Sequence, residues 1–225
     1  MLKQLEQIGF AVVPEVISAT TSDNLIDAIE TALIENGGNH AMRNLEKNVP
    51  AVGELAESQS ILCLAQSVLG ENAFLVRSLF FDKTPDANWK VAWHQDITIA
   101  VHAKIEVPGF TAWSMKDGVM HVQPPASVLE RMLTIRVHLD QCDMENGPLQ
   151  ILPGSHKTGK LTEKEILASR ECIEPIACIV PKGGAVLMRP LLLHASSPAR
   201  VPHHRRVVHL EFAAEKLVGG LRWAI

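Results

Sequence analysis

At 225 residues, 47% of them hydrophobic and 20% charged, the chain has the profile of one globular domain, able to bury roughly 70% of its unfolded surface without disulfides or a structural metal. Its 21 basic and 25 acidic side chains give a formal net charge of −4, which lacks the basic excess that a phosphate backbone demands, so nucleic acid is not expected as a partner. The N-terminal MLKQLEQIGF is not built as a secretion signal, no later run approaches the ~18 apolar residues of a membrane span, and the four cysteines form no CxxC pair. The expectation is a cytoplasmic protein with no membrane partner and with reduced thiols at Cys63, Cys142, Cys172 and Cys178.

No repeat, low-complexity tract or linker divides the chain, so residues 1–225 are read as a single domain. A short apolar run, Phe10 to Val13, ends at Pro14 and predicts a strand. Ser22 and Asp23 are capping residues ahead of Leu25, Ile26, Ile29, Ala32 and Leu33, whose helical spacing ends at Gly37-Gly38. A second helix is predicted from Glu54 to Leu69, closed by Gly70, which completes a helical flank over about 15–70.

From about 74 to 215 the texture changes to short apolar segments broken by Gly, Pro, Asn and Asp. The predicted strands are Phe74 to Phe81, Ala92 to Ala100, Leu133 to Leu139, Gln150 to Leu152, Ala185 to Met188, Leu191 to Ser196 and Arg206 to Phe212. Their density points to a mainly β sandwich or barrel. Residues 101–128 are too long for a tight turn and are read as a lid loop. In Leu133 to Asp140 the residues alternate strictly, with Thr134, Arg136, His138 and Asp140 on one face. An ordinary β-protein turns such a face to solvent and a small barrel with a polar cavity turns it inward; periodicity leaves both open.

The sharpest local feature is Trp93-His94-Gln95-Asp96. On a strand His94 and Asp96 share a face while Gln95 points away, so two ligands reach one ion. A third, His194, lies in an apolar stretch followed by small residues. Two His and one carboxylate leave open positions on an octahedral ion, the arrangement of non-haem Fe(II) oxygenases, although zinc hydrolysis could use the same set. Arg205 follows His194 by 11 residues, enough to turn through Pro198 and Pro202 into the neighbouring antiparallel strand. There its rigid fork could hold the far carboxylate of an oxo acid that chelates the ion.

Taken together, WHQD, the segment Asn146-Gly-Pro-Leu-Gln-Ile-Leu-Pro-Gly-Ser-His156, His194-Ala-Ser-Ser-Pro-Ala-Arg200 leading to Arg205-Arg206, and the opening Gly9-Phe-Ala-Val-Val-Pro14 resemble the phytanoyl-CoA dioxygenase family of Fe(II)/2-oxoglutarate-dependent oxygenases. Order and spacing match across nearly the whole chain. The resemblance implies a double-stranded β-helix (jelly-roll, cupin-like) core with flanking helices. It also implies Fe(II) on His94, Asp96 and His194, with 2-oxoglutarate and O2 as cosubstrates. Arg205 corresponds to the arginine for the distal carboxylate, Ser196 to a hydrogen-bonding position beside it, and Arg136 to a position lining the cosubstrate or substrate pocket. The implied activity is hydroxylation of a small-molecule substrate.

Two departures bear on that substrate. The chain is short for the family, and Arg136 stands where better-known members carry a neutral or aromatic residue. Trp113 is the preferred substrate contact because it lies in the lid, and Arg77, Lys116 and Arg136 hint at an anion. His138 and His209 are read as structural or pocket-lining, and His156 as a loop-fixing residue. Two alternatives stand beside this reading: a cupin-like isomerase or hydrolase, in which Arg205 would matter little, and a non-catalytic ligand-binding barrel, which would not need the intact triad.

Overall fold

The computed structural model describes residues 1–38 and 40–225. In chain order the strands are β1 Phe10–Val13, β2 Ala41–Arg43, β3 Phe74–Lys83, β4 Val91–His94, β5 Ile99–Val101 and β6 Thr111–Lys116. They continue as β7 Val119–Gln123, β8 Leu133–His138, β9 Leu149–Ile151, β10 Ile176–Ala177, β11 Ala185–Met188, β12 His194–Ser196 and β13 Arg205–Ala213. The helices are α1 Leu2–Ile8, α2 Ala19–Glu35, α3 Leu45–Asn48, α4 Pro50–Glu57, α5 Gln59–Leu69, α6 Ala126–Leu129 and α7 Glu163–Cys172. The strands form three antiparallel sheets, ordered β1-β11-β8-β13-β3-β2, β10-β9-β12-β4 and β5-β7-β6.

Alternation decides what each face of the six-stranded sheet meets. Leu133, Ile135 and Val137 of β8 and Val208, Leu210 and Phe212 of β13 pack with Ile29, Val52, Leu55 and Ile61 of the helical layer. Each such fully buried side chain contributes roughly 1.5–3 kcal/mol. The opposite face of β8 carries Thr134, Arg136 and His138, all buried. Of the two orientations that periodicity left open, the polar face therefore turns inward, toward the four-stranded sheet. Lys83 and Arg205 of the large sheet bond Ser196 of the small one across that interior. Toward β1 and β9 the same interior becomes apolar, with Phe10, Val186, Met188, Leu149, Ile151 and Leu192 in one cluster.

Several boundaries differ from the sequence expectation. Helix α2 is capped by Ser18, whose side chain accepts from Thr21 N–H; Ser22 and Asp23 lie inside the helix, and Ser22 is fully buried against the sheet. The helix expected over Glu54 to Leu69 is two helices, broken at extended Ser58. The strand expected over Ala92 to Ala100 is also divided, so Asp96 lies just beyond β4, tied by its N–H to Pro190 O at 2.9 Å. Residues 101–128 are not an irregular loop: β6 and β7 form a hairpin that pairs with β5, followed by α6.

Candidate active site

His94 and His194 face each other as directly paired residues of β4 and β12, their ring centroids 4.2 Å apart. The Nδ1 of His94 lies 2.8 Å from Ala92 O and that of His194 lies 2.9 Å from Leu192 O. A carbonyl only accepts, so each Nδ1 carries the proton and each Nε2 presents a lone pair. Both Nε2 atoms then point to Asp96, one 3.8 Å from Oδ1 and the other 3.8 Å from Oδ2. The three ligand atoms lie within 4.8 Å of one another. Burial pushes His194 down to about 4, so at neutral pH its imidazole is uncharged. Burial opposes ionisation of Asp96, yet the surrounding histidines and Arg77 outweigh it and hold the carboxyl below its usual range.

Gln95 points the other way, as alternation requires. It is buried, and its amide donates to Gly159 O and Leu191 O while its carbonyl accepts from Leu161 N–H. It therefore fixes the loops behind the triad rather than facing an ion.

The other side of the interior comes from three adjacent strands. Arg77, Leu79, Phe81 and Lys83 share one face of β3, and Arg205, Val207, His209 and Glu211 share the matching face of β13. Arg205 is 6% exposed and donates to Gly147 O and to Ser196 Oγ, the latter at 3.3 Å. Gly147 stands in the Asn146-Gly-Pro-Leu149 turn at φ +68, where a Cβ would come within 2.6 Å of Ser197 O, so only glycine brings that carbonyl to the arginine.

Sequence reasoning missed Lys83. It is 1% exposed and donates to Ser196 Oγ at 2.8 Å and Ser197 O at 2.6 Å, with no carboxylate against it among the described residues. Burial, and then Arg205 beside it, lower its ammonium to about 8. The signal was available, since Arg77 is among the residues that hint at an anion and residue 83 has the same strand parity.

Arg136 enters from β8. Its Nη1 donates to His209 Nδ1 at 2.8 Å, His209 Nε2 donates to Glu211 Oε1 at 3.1 Å, and Glu211 in turn accepts from Arg77. This buried chain holds His209 in one neutral tautomer and sets the Glu211 carboxylate between the Arg77 guanidinium and the His209 imidazole. Removing one member of a buried pair strands the other charge, so Glu211→Leu is expected to lose about 3 kcal/mol in urea unfolding. The double variant Arg77→Leu/Glu211→Leu should recover most of that loss; a single variant as stable as the wild type would show that the chain contributes nothing. Arg200 and Arg206 lie apart from this chain, pairing with Glu145 and with Asp140 and Glu30 respectively.

The remaining expected residues divide by parity in the small sheet. Ser114 pairs with His121 and Lys116 with Val119, which places Lys116 and His121 on one face, over the triad. Trp113 has the opposite parity, following Ala112 at φ 51, and packs with the cluster of Ile99, Val101 and Val122. It does not line the cavity that contains His94 and Asp96, whereas Arg77 and Lys116 do. His138 is buried beside Arg136 with no partner on either ring nitrogen, and burial drives it well below its ordinary value. His156 meets Glu6 O at 3.2 Å, a contact that ties its loop to α1.

Comparison with known proteins matches this arrangement to one family. The chain is 26% identical over 179 residues to a probable alpha-ketoglutarate-dependent hypophosphite dioxygenase of Stutzerimonas stutzeri, covering 73% of this chain and 53% of that one. It is 26% identical over 109 residues to the ectoine dioxygenase of Sphingopyxis alaskensis, 48% of this chain and 29% of that one. The chain thus spans about half the length of the first relative and less of the second.

Among solved structures, EctD from S. alaskensis with 2-oxoglutarate and 5-hydroxyectoine superposes with a TM-score of 0.73 at 19% identity, over 95% of this chain and 74% of that one. The non-heme alpha ketoglutarate dependent carbocyclase SnoK from nogalamycin biosynthesis gives 0.74 at 16% identity, over 94% and 82%. These likenesses establish the jelly-roll fold. The family's own sequence model matches residues 5–207, and on that match the chain belongs to the phytanoyl-CoA dioxygenase (PhyH) family.

Proposed function

We propose that this chain is a non-haem Fe(II)/2-oxoglutarate-dependent dioxygenase that hydroxylates a small molecule. The observation that carries the reading is a pairing across one barrel: an N,N,O donor set, buried at His194 and partly exposed at His94 and Asp96, faces the buried cations Lys83 and Arg205, whose side chains have no carboxylate partner among the described residues. The donor set fits a ferrous ion, since Asp96 Oδ2 is buried with no hydrogen-bond partner and both imidazoles are fixed with Nε2 free. Arg205, Lys83 and Ser196 fit the distal carboxylate of a dianionic oxo acid. Arg205 Nε is itself buried and unpartnered, as a guanidinium awaiting an oxyanion would be.

Bound iron, 2-oxoglutarate and O2 would supply oxidative decarboxylation of the oxo acid to succinate and CO2, coupled to transfer of one oxygen atom to substrate carbon. The chain supplies position and dryness. His94, Asp96 and His194 hold the ion, the backbone carbonyls of Ala92 and Leu192 fix both ring orientations, and Lys83 and Arg205 orient the oxo acid from its far end. The β5-β7-β6 sheet serves as the lid, with Lys116 and His121 on its inner face. Residues 1–225 act as one catalytic domain. No helix of the described residues is long and apolar enough to cross a membrane. A cytoplasmic setting would keep iron ferrous and the exposed Cys63 and Cys172 reduced.

Anaerobic addition of Fe(II) and 2-oxoglutarate is expected to raise a metal-to-ligand charge-transfer band in the visible, and admission of O2 should convert 2-oxoglutarate to succinate. Absence of both in protein shown to be folded would overturn the reading. A band without succinate formation, under any candidate substrate, would favour a ligand-binding barrel instead.

A further inference from the structure

The cavity over His94 and Asp96 has a volume of about 320 Å³, at the small end for ligand pockets, and its walls come from all three sheets. Cross-strand register explains why it is cationic. Arg136, His209, Leu79 and Arg43 form one continuous row across β8, β13, β3 and β2, and Arg77 and Glu211 form the next pair along. Arg43 and Arg77 thus project from the inner face of the large sheet, while Lys116 and His121 project onto the same cavity from the lid.

Three acids stand near them and none pairs with Lys116: Asp96 lines the same cavity but faces the imidazoles of His94 and His194. Asp117 meets Arg43 at 3.1 Å near the surface, and Glu211 is committed to Arg77 and His209. Lys116 has no ion pair among the described residues, and Arg77 keeps a buried Nε with no partner. Burial, and then the nearness of Arg43 and Arg77, lower the Lys116 ammonium. Gathering like charges in a partly dry cavity is unfavourable unless something bound there compensates it.

We propose that the cavity takes a small free acid, whose oxyanion group is held by Lys116, Arg43 and Arg77 while its hydrocarbon portion lies toward His94 and Asp96. This rests on the oxygenase reading for what happens to the acid, but not for its binding. A thioester of a large carrier fits poorly, since its acyl end is neutral and its charges lie remote from the reacting carbon. The Arg43–Asp117 pair sits at the mouth, where it can admit a charged group from water. Nε of Arg77 and the Lys116 ammonium form the interior contact.

The test uses a panel of three- to six-carbon carboxylates and alkylphosphonates, each set against its neutral amide or ester. With the protein anaerobically loaded with Fe(II) and 2-oxoglutarate, at least one acid is expected to shift the charge-transfer band while its neutral counterpart does not. Lys116→Met should raise the half-saturating acid concentration about 10- to 100-fold and leave the cosubstrate band in place, as loss of one charge-assisted hydrogen bond requires. A second measurement, the thermal-shift response of the metal-free protein to the same acids, reads binding without iron. Acid-selective, Lys116-dependent stabilisation there would sustain the inference even if no band ever formed, a result that would sink only the oxygenase reading. Neutral compounds acting as well as acids, no acid acting at all, or Lys116→Met and Arg43→Met binding acids like the wild type would overturn the inference.

Discussion

His94→Ala is expected to abolish the charge-transfer band formed with Fe(II) and 2-oxoglutarate and to lower succinate formation by on the order of a thousandfold or more, because a ligand is lost from a three-residue set and nothing beside it substitutes. His94 lies at the end of β4 with its side chain 41% exposed, so truncation opens no cavity and the variant should fold within about 1 kcal/mol of the wild type. Gln95→Leu makes the opposite pair of outcomes. Its amide serves three backbone groups on the far side of the same segment, two of them carbonyls of Gly159 and Leu191. Losing those bonds in a buried setting should cost about 2–4 kcal/mol while the band survives. Urea unfolding and anaerobic titration of both variants separate the effects. A band that persists in His94→Ala would remove His94 from the ligand set, and a band lost equally in Gln95→Leu would mean that the titration reports general disruption.

The contrast between these two neighbours also shows what one chain's sequence can carry. The grouping of His94, Asp96 and His194 and the inward placing of Arg205 were legible because they depend on spacing along strands, which survives even though Asp96 lies beyond the end of β4. Strand density made a sandwich or barrel legible, and the jelly-roll itself came from the family resemblance that the order of motifs carries. The facing of β8 was not, because alternation reports that two faces differ and not which one a second sheet covers. Lys83 went unread because a lysine after Phe80-Phe81-Asp82 looks like a strand end at the surface, although its parity matched Arg77. Trp113 was assigned to the site by chain position alone, and the irregularity at Ala112, which sets its parity, leaves no mark in composition. Helix α7 was missed because none of its residues is buried and no apolar period marks it; the capping box of Thr162 and Glu165 was its one signature.

Arg205→Leu is expected to raise the half-saturating concentration of 2-oxoglutarate by roughly 30- to 1,000-fold, or about 2–4 kcal/mol, with a smaller change in the rate at saturation. The size follows from where the charge sits. Arg205 and Lys83 converge on Ser196, where they donate to the neutral oxygens of Ser196, Ser197 and Gly147, and the Cys142 thiol beside Arg205, its pKa raised by burial, is neutral too. The free barrel thus holds two neighbouring cations that repel each other, and a bound carboxylate relieves both. Removing Arg205 takes away the attraction for the oxo acid but also the repulsion on Lys83. The metal-free variant should accordingly be no more than about 1 kcal/mol less stable than the wild type, unlike a core truncation of similar size.

A pH signature follows with a definite sign. In the wild type Lys83 titrates at about 8, lowered by burial and by Arg205, and an anion binds the protonated form better. Cosubstrate binding then takes up a proton near that pH and weakens as pH rises through it. In Arg205→Leu one cause of the lowering is gone, so the break in affinity should move to higher pH although affinity at pH 7 is worse. Calorimetric titration of 2-oxoglutarate from pH 7 to 9.5, in the presence of a redox-inert divalent metal, reads both effects. Affinity within threefold of the wild type, or a break that stays where it was, would detach Arg205 from the cosubstrate and return the barrel to the reading in which another metal chemistry uses the same three ligands.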